Sequence, residues 1–198
     1  ANGSLTDLAV LLEEMGRALA PSPFFPSVVL AGVAILGLIV LSQWGGGVRT
    51  TFSGFYIADN FSSFVKMVVV VTTAFTILLS LQYAKVEKIN YGEFYVMILF
   101  AVFGMLVMAS GNDLISIYLG LETMSISSYV LVSFIRHDPL SREAGLKYFL
   151  MGAFASGILL YGIALTYGLT GTTSLTGIAK ALSGPQGAAI VADPVMVF

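Results

Sequence analysis

The residues best suited to chemistry in this sequence are ionisable side chains inside long apolar runs. Glu122 lies eight residues after the start of an apolar run over residues 114–135. A charge at the centre of a membrane-spanning helix costs roughly 2.5–3.5 kcal/mol on insertion scales, so such residues usually face protein or water and serve a function. We therefore predict that Glu122 binds and releases a proton. The alternative is a structural glutamate that ties two helices together through a salt bridge.

A stripe of polar side chains accompanies Glu122 at helical spacing. Tyr118, Ser125 and Tyr129 share its face at spacings of four, three and four residues, and Ser128 lies beside them. Their hydroxyl groups can hold water or relay a proton. The stripe is predicted to support proton transfer at Glu122.

Lys147 is the predicted partner of Glu122, near the start of the next apolar run. Burial favours the neutral form of a lysine, which can then exchange a proton. A lysine near the end of a span can also extend its amine to the cytoplasmic interface, and the residues leave both interpretations open. Lys66 is predicted to reach the outer interface in this way. His137 is predicted to be a solvated loop residue or a site of proton uptake, since histidine changes charge near neutral pH.

Composition indicates a membrane protein and excludes several other classes. Hydrophobic residues make up 57% of the 198 positions and charged residues only 10%, against about 25% in soluble domains. The net charge of −2 and the lack of a basic patch argue against nucleic acid as a partner, whereas the apolar runs require a lipid bilayer. No cysteine and one histidine leave no means of building a thiol, zinc or iron–sulfur site. We therefore expect no metal and no cofactor in this chain.

The apolar runs predict an all-α polytopic membrane protein. An amphipathic segment over residues 1–23 precedes five predicted membrane-spanning helices, at 24–43, 61–83, 94–110, 114–135 and 144–168. An outer loop over 169–193 includes a predicted short helix, Ser174–Leu182. A further spanning helix is predicted to begin at 194–198, so we expect the chain to be incomplete at this end.

Loop charges predict the orientation of these helices. The loops around 84–93 and 136–143 contain four basic residues, whereas the opposite loops contain two, so the first set is predicted to be cytoplasmic. In the last span, small residues stand four apart at 152/156 and 153/157. Such spacing lets helix backbones approach closely, and we predict a packing role for it.

Two segments resemble a known family. Residues 118–132, YLGLETMSISSYVLV, resemble the central glutamate helix of the antiporter-like subunits of respiratory complex I. Residues 141–162, SREAGLKYFLMGAFASGILLYG, resemble the N subunit of that complex in particular. The resemblance extends over about residues 59–182, and the block from Glu122 to Lys147 is its most specific part.

The resemblance implies the first part of an antiporter-like helical bundle, in which inverted five-helix repeats contain broken helices at the membrane centre. It also implies proton transfer along a chain of glutamate and lysines, driven by quinone reduction elsewhere in the complex. Glu122 matches the family's essential glutamate, and Lys147 matches the lysine of the next helix. NADH, FMN, iron–sulfur clusters and quinone would then belong to other subunits, with no redox chemistry in this chain. Neighbouring membrane subunits would be of the M and K types.

The resemblance places the protein in a bacterial cytoplasmic membrane rather than the mitochondrial inner membrane. Two other functions remain open. The first is a cation/proton antiporter subunit of the Mrp type, which would need no electron donor. The second is a structural membrane subunit in which a pair formed by Glu122 and Lys147 only pins two helices together.

Overall fold

The computed structural model describes residues 24–87, 92–185 and 187–193. The predicted amphipathic segment 1–23 and the predicted start of a helix at 194–198 lie outside these residues. Within them, the chain forms helices joined by short loops, with one small hairpin. The helices are α1 Phe24–Ser42, α2 Asn60–Val86, α3 Gly92–Ser110, α4 Leu114–Val132, α5 Pro139–Thr170, α6 Leu175–Ser183 and α7 Gly187–Val191.

Four of these helices, α2 to α5, are long and apolar enough to cross a membrane. The apolar body of α1, Pro26–Ser42, is shorter. The predicted all-α polytopic membrane fold is confirmed. The short helix α6 begins after Ser174, whose side chain accepts a hydrogen bond from the Gly177 amide, so Ser174 is its N-cap.

The fifth predicted span, 144–168, differs most from the helix that the structure contains. Helix α5 begins five residues earlier, at Pro139, and continues to Thr170. Asp138 precedes it as N-cap, and its carboxylate accepts hydrogen bonds from the amides of Leu140 and Ser141 at 3.1 Å each. Proline is well suited to the first helical position because its missing N–H would be unpaired there. The charged segment assigned to a loop in the sequence is therefore the first turn of the helix.

Successive helices pack against one another along the chain, and α3 and α4 make the most extensive contact. The buried apolar core joins α1, α2 and α3, through Val33, Val70, Ile77, Tyr95, Ile98 and Val102. Helix α5 lies at the edge and is largely exposed within the described part of the chain. The helix that bears Glu122 therefore stands between a tightly packed helix and a loosely packed one.

A small antiparallel hairpin connects α1 and α2, which the sequence did not predict. Strands β1 Arg49–Thr51 and β2 Tyr56–Ala58 pair with Arg49 opposite Ala58, and a single 3₁₀ turn, Phe52–Gly54, joins them. Strand β1 is exposed and β2 is half-buried, and three residues are too few to show the alternation of apolar and polar residues by which a sequence pattern detects a strand.

Candidate functional site

The position of α4 is fixed at its middle by a close crossing with α3. A Cβ atom built on Gly104 would lie 2.5 Å from the carbonyl oxygen of Gly120 and 2.6 Å from the amide nitrogen of Met124. A Cβ built on Gly120 would lie 2.8 Å from the carbonyl oxygen of Gly104. Only glycine allows two helix backbones to approach this closely. Gly120 and Met124 flank Glu122 in sequence, so the crossing holds the part of α4 that carries the glutamate.

The N-terminal end of α4 is fixed by a network of loop hydrogen bonds. Asp113 is buried and caps α4: its Oδ1 accepts a hydrogen bond from the Ile115 amide at 2.9 Å, and its Oδ2 accepts one from the Thr173 hydroxyl at 2.6 Å. The amide of Leu114 donates to the carbonyl of Thr173 at 2.9 Å. These bonds join the beginning of α4 to the segment that follows α5. The helices that carry Glu122 and Lys147 are therefore connected at this end.

The hairpin takes part in the same network. The amide of Asn112 donates to the carbonyl of Phe55 at 2.9 Å, and its side-chain amide donates to the carbonyl of Gly54 at 3.0 Å. The loops over 45–60, 111–113 and 169–193, which the charge pattern predicts to be on the outer side, thus meet at one end of the bundle. Asp113 was not among the residues predicted from the sequence, although its place directly before an apolar run is the usual signal of an N-cap.

Glu122 is half-buried, and its Oε1 atom is fully enclosed without a hydrogen-bond partner. Among the described residues it is the only buried side-chain nitrogen or oxygen in that condition. A buried polar atom without a partner costs about 1–3 kcal/mol, and more when the group is charged. Such an atom therefore calls for an explanation, such as a proton, an ordered water molecule or a changing partner.

The helical period places Glu122 on the α5 side of α4. Gly120, which contacts α3, is two residues away and thus points in nearly the opposite direction. Tyr129 is seven residues away and shares the face of Glu122. Its hydroxyl lies against Gly152 of α5, where a Cβ atom would overlap it. Its ring packs edge-on against Tyr148 and Phe149, with centroid distances of 4.8 and 5.9 Å.

The other members of the polar stripe lie along α4 with different hydrogen bonding. Tyr118 and Ser125 are half-buried. The Ser128 hydroxyl donates to the carbonyl of Met124, one turn earlier in its own helix, at 2.9 Å. In this arrangement the Ser128 oxygen can still accept a hydrogen bond, but its hydroxyl hydrogen is already donated to the Met124 carbonyl. Tyr118, Ser125 and Tyr129 are thus the better placed hydroxyls.

The structure does not bring Lys147 into contact with Glu122. Lys147 is 71% exposed within the described part of the chain and forms an ion pair with Glu143, one turn earlier in α5. No ion pair joins it to Glu122 among the residues described. The partner that Lys147 has in this structure is therefore Glu143 of its own helix, and its predicted role beside Glu122 stays a prediction.

The register of the two helices explains this separation. Gly145 of α5 packs against Ser133, and Gly152 packs against Tyr129. Lys147 lies between the two glycines in α5, so it lies beside the stretch from Tyr129 to Ser133. That stretch is seven to eleven residues after Glu122. At 1.5 Å per residue this is a separation of roughly 10–16 Å along the helix axis. Transfer of a proton between them requires intermediate groups.

The remaining predicted residues lie away from this region. Lys66 is half-buried in the second turn of α2, and His137 is exposed in the loop between α4 and α5. Of the small residues in α5, Gly152 does pack closely. A Cβ atom on Gly157 would meet no described atom within 4 Å.

Comparison with known proteins places this arrangement in a family. The family described as NADH:quinone oxidoreductase/Mrp antiporter, TM, matches residues 111–197, which include both α4 and α5. This segment is thus similar to the membrane domain of NADH:quinone oxidoreductase and Mrp antiporter subunits. This confirms the resemblance drawn from the Glu122 and Lys147 segments.

Relatives of known name in this family are subunits N. The chain is 47% identical over 157 residues to NADH-quinone oxidoreductase subunit N 2 of Rhizobium meliloti (strain 1021), covering 79% of this chain and 32% of the relative. It is 43% identical over 188 residues to NADH-quinone oxidoreductase subunit N of Trichlorobacter lovleyi (strain ATCC BAA-1151 / DSM 17278 / SZ), covering 90% of this chain and 38% of the relative. The chain thus spans about a third of the length of the curated relatives that it matches.

Two solved structures share the fold of this chain. A chain of respiratory complex I from Thermus thermophilus superposes with a TM-score of 0.67 at 31% identity, covering 90% of this chain and 40% of that chain. A chain of the archaeal membrane-bound sulfane sulfur reductase superposes with a TM-score of 0.71 at 20% identity, covering 94% of this chain and 42% of that chain, and shows the fold alone.

Proposed function

We propose that this chain is part of a proton-translocating membrane subunit of an NADH:quinone oxidoreductase, with Glu122 as the group that is protonated and deprotonated. The observation that carries the proposal is the enclosed Oε1 atom of Glu122, the one buried side-chain polar atom without a partner in the described part of the chain. It occurs on the helix that matches the family, inside a membrane span.

The surroundings of Glu122 suit a reversible change of protonation. When neutral, the carboxyl group is tolerated in an apolar environment; when charged, it needs water or a cation nearby. The crossing of Gly104 with Gly120 keeps the backbone at this point rigid, so that a change of charge acts on side chains and water rather than on the helix position. Quinone reduction in other subunits would supply the energy, and this chain would carry no redox group.

Lys147 is the proposed second member of the relay. Its distance from Glu122 along the helix axis is too great for one transfer, and Tyr129 lies between their levels. Water molecules and the hydroxyls of the polar stripe would carry the proton over this interval. His137, exposed in the adjoining loop, would serve proton uptake from the cytoplasm.

NADH, FMN, iron–sulfur clusters and quinone would be held by other subunits, and the neighbours in the membrane would be subunits of the M and K types. The location would be a bacterial cytoplasmic membrane. A cation/proton antiporter of the Mrp type is the second candidate, because the matched family includes both groups. A sodium-dependent pH change in vesicles without NADH would favour the antiporter.

The helix-pinning function receives less support. It requires an ion pair between Glu122 and Lys147, whereas Lys147 pairs with Glu143 in this structure. It also leaves the unpartnered oxygen of Glu122 without a role.

The test is Glu122→Gln in the full-length subunit within the assembled complex. We expect proton pumping per NADH oxidised to fall to background, because glutamine cannot release a proton, while NADH oxidation with a water-soluble acceptor persists. Glu93→Gln, which makes the same change at an exposed position in the first turn of α3, is the matched control and should pump normally. A Glu122→Gln complex with the wild-type proton-to-electron ratio refutes the proposal. Failure of that variant to assemble would instead support the structural function.

A further inference from the structure

A cleft at the inner ends of α4 and α5 forms a site that the proton relay does not use. It has a volume of about 470 Å³ and is bounded by the end of α4, the loop that follows and the first turns of α5. The lining residues are mainly apolar, with two arginines: Val130, Ser133, Phe134, Arg136, Arg142, Gly145, Leu146 and Phe149. The cleft thus combines an apolar interior with two positive charges.

The close packing of α4 and α5 forms the base of the cleft. A Cβ atom built on Gly145 would overlap the side chain of Ser133, so the helices touch there. Beyond this contact Val130, Leu146 and Phe149 remain exposed, at 40%, 60% and 49%. Their side chains therefore line an apolar groove that runs from the interface into the membrane-spanning part of the helices.

The two arginines lack an ion-pair partner within the described part of the chain. The acidic side chains near them are committed elsewhere. The carboxylate of Asp138 caps α5, and Glu143 pairs with Lys147. Arg136 and Arg142 are both exposed, so their guanidinium groups are available to an anion at the mouth of the cleft.

We propose that this cleft binds an anionic phospholipid, with the phosphate at Arg136 and Arg142 and an acyl chain against Val130, Leu146 and Phe149. Guanidinium groups bind phosphate oxygens in a bidentate manner, and basic pockets between helices on the cytoplasmic side are typical sites for anionic headgroups. The positive-inside assignment puts this end of α4 and α5 on that side.

An acidic peptide fits this surface less well than a lipid. The arginines would attract its carboxylates, but the groove continues below them into the hydrocarbon region. An extended peptide there would leave backbone N–H and C=O groups without partners in the hydrocarbon region. An acyl chain has no such groups.

The test uses the assembled complex with the full-length subunit, reconstituted in phosphatidylcholine vesicles that contain phosphatidylglycerol with a photoreactive acyl chain. Labelled residues are mapped by mass spectrometry, and a photoreactive phosphatidylcholine of the same chain length is the reference lipid. We expect phosphatidylglycerol to label the region of Leu146 and Phe149 more strongly than phosphatidylcholine does. Replacing either arginine by glutamine should lower this preference about fivefold, and replacing both about 30-fold, since each basic residue near the membrane surface contributes about a factor of five.

Two further variants separate charge from shape. Arg49→Gln removes an exposed arginine on the opposite side of the membrane, so labelling should be unchanged. Leu146→Trp fills the groove while leaving both arginines, and should reduce labelling by either lipid. Equal labelling by the two lipids in the wild type overturns the proposal, and so does an unaltered preference in the double arginine variant. Absence of lipid label from the region of Leu146 and Phe149, while other subunits of the same complex are labelled, also overturns it, because a protein would then occupy the cleft.

Discussion

Replacement of Gly104 by alanine should push α3 and α4 apart at the level of Glu122. The added Cβ atom would lie 2.5 Å from the carbonyl oxygen of Gly120, which is 0.9 Å short of an ordinary 3.4 Å contact. The atoms that it meets belong to the backbone of α4 and cannot rotate away. Overpacking of this kind costs about 1–3 kcal/mol.

The displacement should also affect proton transfer, because Gly120 and Met124 flank Glu122. A shift of about 1 Å in a reacting group can lower a rate by a factor on the order of 100. We expect the Gly104→Ala complex to lose thermal stability, measured by the temperature at which the purified complex dissociates. We also expect its rate of proton pumping, measured in vesicles with a fluorescent pH probe, to fall more than its NADH oxidation with a soluble acceptor.

Gly157→Ala is the matched control, since its Cβ atom would meet no described atom within 4 Å and alanine favours the helix. This variant should keep wild-type stability and pumping. If Gly104→Ala behaves in the same way as Gly157→Ala in both measurements, the close crossing does not hold Glu122 in place and the reasoning fails.

Two other perturbations follow from contacts of α4. Thr173→Val removes the hydroxyl that donates to Asp113, so a buried carboxylate oxygen loses its partner. The free energy of unfolding should therefore fall by about 1–3 kcal/mol, which is measured as a lower thermal stability. Thr173→Ser keeps the hydroxyl and should retain wild-type stability. Equal thermal stability of the valine and serine variants would exclude a contribution from this hydrogen bond. Gly152→Ala should displace the Tyr129 ring and reduce pumping, and its effect should be much smaller in a Tyr129→Ala background. Strictly additive effects of these two changes on the pumping rate would show that the two residues act independently.

Much of the architecture could be predicted from the sequence. Apolar runs longer than a bilayer is thick must be helices, because no other segment satisfies its own backbone in lipid. The same period of 3.6 residues puts Glu122 and Tyr129 on one face without any knowledge of the neighbours. The ends of the helices were harder to predict from the sequence. Helix α5 begins at Asp138 and Pro139, inside a stretch whose charges resemble those of a loop.

The relation between Glu122 and Lys147 shows the limit of such predictions. The period assigns each residue to a face of its own helix, but it does not fix how far one helix is displaced along another. That displacement depends on where small residues let side chains fit, here at Gly145 and Gly152. It sets Lys147 well beyond the level of Glu122 and leaves it paired with Glu143.

The sequence by itself therefore determined that the chain forms apolar helices, that one of them contains a glutamate and that a polar face surrounds it, because these features follow from hydrophobicity and helical period along a single segment. Only the tertiary structure decided that the Oε1 atom of Glu122 is enclosed without a partner, that α3 and α4 touch at Gly104 and Gly120, and that Asn112 and Asp113 together join three loops. These features arise from contacts between segments far apart in the chain. Their geometry is set by close packing and hydrogen bonding between helices and loops, which no local pattern encodes.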